Sequence, residues 1–137
     1  VKRHVRRCIE GGTITLRLEA GRVSDANAEA VRAATGIDIR GYARVLDSGD
    51  IRHALRSHGG HDREAKRGQA PLKPRDFALV GRIAGMGKVV GKRGGGGGGA
   101  PTVRYRARIG RYEYELVEQV RHGKRQVALK TLWKRRI

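Results

Sequence analysis

Three of the chain's five histidines, His53, His58 and His61, fall within nine positions, and Arg52, Arg56, Arg63, Lys66, Arg67 and Lys73 surround them. Imidazole titrates near neutrality, so it can take or give a proton at physiological pH. Guanidinium grips a phosphate through two parallel hydrogen bonds. Together these groups suit RNA cleavage in which the substrate's own 2′-hydroxyl attacks the adjacent phosphorus. That reaction needs a base at the hydroxyl, an acid at the departing 5′-oxygen and cations on the phosphate. A two-metal nuclease would instead cluster its carboxylates. The acids of the basic two-thirds are dispersed in sequence as Asp62, Glu64, Asp76, Glu113, Glu115 and Glu118. The expectation is a site that works without a metal and without a cofactor.

The element that positions the histidines is a helix. Asp47-Ser48 can open it and Gly59-Gly60 can close it. At about 100° per residue, Ile51, Ala54, Leu55 and His58 share one stripe, while His53 lies almost opposite Ile51. His53 and His58 differ by about 140° and cannot both aim at one phosphate on a regular helix. His58, at the helix end beside a turn and on the core side, is the first candidate for base or acid. Its plain alternative is a histidine that caps the helix. Residues 60–73 read as loop, where the Arg67 guanidinium can swing onto a phosphate. The plain alternative for Arg63, Lys66 and Arg67 is a solvated basic loop.

The remaining elements follow from period and punctuation. A helical stretch over residues 1–9 and a strand over 13–18 come first. Ser24 or Asp25 caps a helix that Gly36 ends. Ile37, Ile39, Ala43 and Val45 then alternate with Asp38, Arg40, Tyr42 and Arg44, as in a strand with Gly41 inside it. Pro74 starts another helix with Phe77, Val80, Ile83 and Ala84 as its apolar stripe. A short strand over residues 88–90 follows. The six consecutive glycines 94–99 read as a flexible loop. The last third reads as an antiparallel meander. In its first strand Val103, Tyr105, Ala107 and Ile109 oppose Arg104, Arg106 and Arg108. Tyr112, Tyr114 and Leu116 share a face of the second. Val127, Leu129, Thr131 and Trp133 share a face of the third. The fold class is therefore α+β, with N-terminal helices packed on a twisted antiparallel β-sheet that ends in a C-terminal meander.

Charge says what the surface faces. With 31 Lys and Arg against 13 Asp and Glu, the net charge is +18. Residues 1–50 hold 9 basic and 7 acidic side chains, whereas residues 51–100 and 101–137 each hold 11 and 3. The polyanion-facing surface thus belongs to the later parts. Three like-charged arginines on one strand also ask for a counter-anion from a partner. The RNA-binding set is Arg104, Arg106, Lys66, Tyr105 and Lys130, with Trp133 and the tyrosines available to stack on unpaired bases. The Thr131 hydroxyl, near the end of the last strand, can contact a phosphate. One cysteine, Cys8, permits no internal disulfide. No apolar run approaches the roughly 20 residues of a membrane span, and the basic start lacks a secretory signal's apolar core. The chain begins with Val1 rather than Met and is read as part of a larger protein. The rival class is a non-catalytic basic RNA-binding protein, which would not need histidine beside Arg67.

The segments IRHALRSHG, EAKRGQAPLKPRDF and YRARIGRYEYELVEQVRHGKRQVALKTLWKRR resemble the barnase–EndoU–colicin–RelE-like ribonucleases, in the branch found at the C-termini of phage head proteins and contact-dependent growth inhibition toxins. The resemblance runs from about Gly36 to Arg136. It divides the single compact domain into an N-terminal helical segment, residues 1–35, and a ribonuclease core, residues 36–137. It implies metal-free cleavage of RNA, with tRNA as substrate, by a monomeric toxin. The toxin would be secreted or displayed at the cell surface and would act in a target cell's cytoplasm. An acidic immunity protein would neutralise it in the producing cell. The family's histidine corresponds to His58, or to His53, its basic residue to Arg67, and its strand threonine and aromatic to Thr131 and Trp133. The six-glycine loop and a tryptophan where tyrosine is expected depart from the pattern, and an indole supplies no titrating proton.

Overall fold

A computed structural model describes residues 17–60, 68–93 and 100–137. The helix expected over residues 1–9, the six-glycine loop, and His61, Arg63, Lys66 and Arg67 lie outside the described residues. Among the described residues, a six-stranded mixed sheet forms one layer and three α-helices cover one of its faces. The strands are β1 (Arg17–Arg22), β2 (Ala43–Asp47), β3 (Lys88–Arg93), β4 (Thr102–Ile109), β5 (Tyr112–Arg121) and β6 (Gln126–Arg136), in spatial order β1-β2-β6-β5-β4-β3. The α+β class holds. The sheet is not wholly antiparallel, because β2 runs parallel to β6 through Ala43–Gln126, Arg44–Val127 and Val45–Ala128.

Helix α1 (Asp25–Thr35) starts and stops where its sequence says. The Ser24 hydroxyl accepts from the Asn27 N–H at 3.1 Å, and Gly36 takes φ +78° to return its N–H to the Arg32 carbonyl. The strand expected across residues 37–45 is shorter than its alternation suggested. Gly41 adopts φ +74°, which breaks the extended run, so β2 begins only at Ala43. Helix α2 (Ser48–His58) follows β2 directly. Pro74 opens a 3₁₀ helix (Pro74–Leu79), and only then comes α3 (Val80–Met86). Its expected stripe is nonetheless buried at Phe77, Val80, Ile83 and Ala84.

The helices press onto the inner face of the sheet, where Val31, Ile51 and Phe77 meet Leu116, Leu129 and Leu132. Gly110, at φ +60°, turns β4 into β5 and fixes the hairpin register as Ile109–Tyr112, Arg108–Glu113 and Arg106–Glu115. The β5–β6 pair contains one irregularity. Glu118 faces Leu129 and Val117 faces Thr131, which leaves Lys130 as an extra residue in β6. This bulge overturns the shared face expected for Val127, Leu129, Thr131 and Trp133. Val127 and Leu129 point inward. Thr131 and Trp133 point to the outer face, and Leu132 and Lys134 fill the inner one.

Candidate nucleic-acid interface on the outer sheet face

The meander builds the outer face in rows. Residues opposite one another in adjacent strands share a face. One row therefore runs Gly91, Arg104, Val117, Thr131. The next runs Lys88, Arg106, Glu115, Trp133, and a third runs Arg108, Glu113, Arg135. Arg104, Arg106 and Arg108 are about half exposed or more, at 51%, 48% and 67% of the side chain, as is Arg135 at 52%. Beneath them Glu113 and Glu115 are largely buried. The Glu115 carboxylate accepts from Arg104 Nε at 3.1 Å and from Arg106 Nη2 at 3.5 Å. Glu113 accepts from Arg108 Nε at 3.3 Å and from Arg135 at 2.6 Å, with Arg106 Nε at 4.0 Å.

The arginine row thus finds its counter-anions inside its own sheet, which corrects the inference that the charges require a partner. Four guanidinium groups still stand over two carboxylates. The surplus is positive and held in place, an arrangement that attracts a polyanion and fixes the angle of the forks that meet it. Partial burial pushes the Glu113 carboxyl up, but hydrogen bonds from Arg135 and Arg108 and the charges of Arg135 and Arg106 outweigh it. Glu113 therefore sits below the usual carboxylate range.

Thr131 and Trp133, both half-buried, join this face, so four of the expected residues come together as Arg104, Arg106, Thr131 and Trp133. Tyr105 does not. It is fully buried on the inner face, and its hydroxyl accepts from Asn27 Nδ2 at 3.3 Å. Burial and the nearby Glu118 charge push it up to about 12. With no ring surface in solvent it cannot stack on a base, so its RNA-binding assignment is withdrawn. Lys130 is exposed at the bulge, where its charge acts on the carboxyl of Asp50.

His58 lies half-buried at the end of α2, which packs against β2 and β6. Its carbonyl accepts from the Leu72 N–H at 2.7 Å, while the Ala70 N–H bonds the Lys134 carbonyl at 2.9 Å. The segment 68–72 therefore ties the helix end to the edge of β6 that β2 leaves unpaired, beside the Trp133 position. His53 is exposed on another face of α2, next to Asp50. Burial and Asp47 raise the Asp50 carboxyl, and Arg121, Lys130 and His53 act against that rise. Arg67 and Lys66 fall among the residues not described.

Two buried polar networks brace the interface from behind. Arg44 binds Glu118 bidentately, at 2.7 and 3.0 Å, and reaches Asn27 Oδ1 at 2.9 Å. Alternation had put Arg44 on the polar face of its strand, yet only 3% of its side chain is exposed. Burial lowers its affinity for the proton, but the Glu118 charge and hydrogen bond more than restore it, so its pKa is raised. Asp76 accepts from the Tyr114 hydroxyl at 2.8 Å and pairs with Lys134 Nζ at 2.9 Å, and Lys134 lies 4.2 Å from the Tyr112 ring centroid. Burial and Asp76 raise the Tyr114 hydroxyl. Among the described residues no three His, Cys, Asp or Glu side chains gather as a metal-ligand set, and no helix is long and apolar enough to cross a membrane.

A mixed sheet backed by helices on one side carries pinned arginines and an aromatic on the other, an α+β architecture with one strongly positive face. The sequence places it more closely: over residues 21–136 the chain belongs to the family described as phage-Barnase-EndoU-ColicinE5/D-RelE like nuclease3. No curated protein and no solved structure matches the chain.

Proposed function

We propose that this nuclease cuts RNA, and specifically tRNA, through attack of the 2′-hydroxyl on the adjacent phosphorus without a metal ion. The observation behind this reading is the outer face shared by Arg104, Arg106, Thr131 and Trp133, whose β6 strand is tied to the His58 end of α2 through Ala70 and Leu72. His58 acts as base or acid. Arg67 and the Thr131 hydroxyl stabilise the charge that develops on the phosphate. His53 and Trp133 support them, Trp133 by stacking on an unpaired base. Arg104, Arg106, Lys66 and Lys130 guide the backbone. The chain acts as a monomeric toxin carried by a larger protein that is secreted or displayed at the cell surface. It works in the cytoplasm of a target cell, and an acidic immunity protein covers its positive face in the producer.

Incubating total RNA with the protein in EDTA tests the chemistry. Discrete fragments ending in 2′,3′-cyclic phosphate are expected. A gel shift without fragments would favour a binding protein that does not cut. Sequencing the ends generated in cells identifies the RNA and the cut position.

A further inference from the structure

A depression of about 190 Å³ opens at the β3–β4 end of the sheet, lined by Val90, Gly91, Lys92, Thr102 and Arg104. Its origin is a second irregularity in the ladder. Val89 pairs with Tyr105 and Gly91 with Arg104, so Val90 is the extra residue of β3 and stands exposed. Gly91 adds no side chain, and a Cβ built there meets nothing within 4 Å. The Lys92 ammonium is drawn away to the Thr35 carbonyl at 2.8 Å, on the helix-covered side. The space is left with an apolar edge from Val90, a glycine floor, and the Arg104 guanidinium, whose Nε end is held by Glu115 at 3.1 Å.

We propose that this depression is a nucleobase subsite and that it selects guanine in the RNA strand on the outer face. The inference rests on the RNA reading of that face and adds to it which base is recognised and where. Its volume is below the roughly 300 Å³ of a pocket for a drug-sized ligand, so it suits one ring system rather than a whole nucleotide. Arginine only donates hydrogen bonds. Guanine presents two adjacent acceptors, O6 and N7, where adenine presents an acceptor and a donor. A guanidinium pinned at Nε keeps its terminal nitrogens as a preset fork for those acceptors, and the ring packs against Val90. Gly91, Arg104 and Thr131 lie in one row. With strands about 4.8 Å apart, Arg104 sits about 10 Å from the Thr131 strand, within reach of a nucleotide close to a phosphate at Thr131.

Fully 2′-O-methylated hexanucleotides resist 2′-hydroxyl chemistry and serve as probes. Uridine hexamers carrying one guanosine, adenosine or cytidine would be compared by fluorescence anisotropy. The guanosine probe is expected to bind about tenfold tighter, the scale of one bidentate contact. Gly91→Leu, which fills the floor, should abolish that preference and leave the salt dependence of binding in place, and Arg104→Lys, which removes the fork, should abolish the preference as well. Thermal unfolding of each variant confirms that it is folded. Equal affinity for all probes, or a guanosine preference untouched by Gly91→Leu, overturns the subsite. Cleavage of natural RNA, measured separately, distinguishes the two readings. Cutting without base preference removes the subsite alone, whereas guanosine-selective binding without cutting removes the catalytic reading alone.

Discussion

Leu129 and Thr131 are two residues apart in one strand and face opposite sides of the sheet. Regular alternation would put them together. The extra residue Lys130 separates them, so Leu129 lies opposite Glu118 in the core and Thr131 lies opposite Val117 beside the arginines. Deleting Lys130 makes Thr131 the direct neighbour of Leu129, and plain alternation then keeps Val127, Leu129, Leu132 and Lys134 inside and Thr131 and Trp133 outside. The deletion variant is therefore expected to stay folded and to lose less than the roughly 2–3 kcal/mol that one buried leucine represents. Circular dichroism and urea titration, with Lys130→Ala as the control, check this. An unfolded deletion variant would show that the extra residue is itself needed to place the two halves of β6.

The Arg44–Glu118 pair predicts a second asymmetry. Both side chains are essentially withdrawn from water, and Asn27 links them to α1. Arg44→Met leaves the Glu118 carboxylate buried without its bidentate partner and should cost about 3–5 kcal/mol. The double variant Arg44→Met with Glu118→Leu removes both charges and should recover much of that loss. Urea denaturation of the two singles and the double gives the coupling directly. A double variant no better than the sum of the singles would contradict a paired burial.

Glu113 makes stability depend on pH in a set direction. Its folded pKa lies below the ordinary 4.5, so its contribution is fully present above about pH 4.5 and is lost as pH falls through the folded value. Glu113→Gln should therefore be less stable than the parent at neutral pH, with the gap closing under acid. Denaturation midpoints between neutral and acid pH check this. A gap that stays constant through that range would rule out linkage at Glu113.

Much of this arrangement is legible in the amino-acid order, and what escapes has physical causes. The alternation of residues 102–109, with Gly110 in the turn, gives the first hairpin, and the same register puts Glu113 and Glu115 beneath Arg108 and Arg106. Counting across that turn would have found both carboxylates as partners of the arginines, although in chain order they look scattered. The helix stripe of Ile51, Ala54 and Leu55 with His58 needs only the 3.6-residue period. The bulge at Lys130 carries no such mark, since a lysine between Leu129 and Thr131 suits either register. Arg44 was hidden because a buried charge is recognisable only beside its partner, and Glu118 lies 74 positions away. Asp76, Tyr114 and Lys134 escaped for the same reason.

His58 and His53 share one helix, and the proposed chemistry separates them. His58 ends α2 beside the segment that reaches β6, whereas His53 is exposed next to Asp50. His58→Ala trims a half-buried imidazole in the last helical turn, outside the packed hydrophobic core. The fold should survive, while the cleavage rate falls by about 10²–10⁴, the usual contribution of a general acid or base. His53→Ala should retain most activity. Initial rates on total tRNA in EDTA, with thermal unfolding of each variant, separate catalysis from stability. Full activity in a folded His58→Ala variant would falsify the assignment. A collapse of rate in His53→Ala alone would move the proton-transfer role to the exposed face of α2.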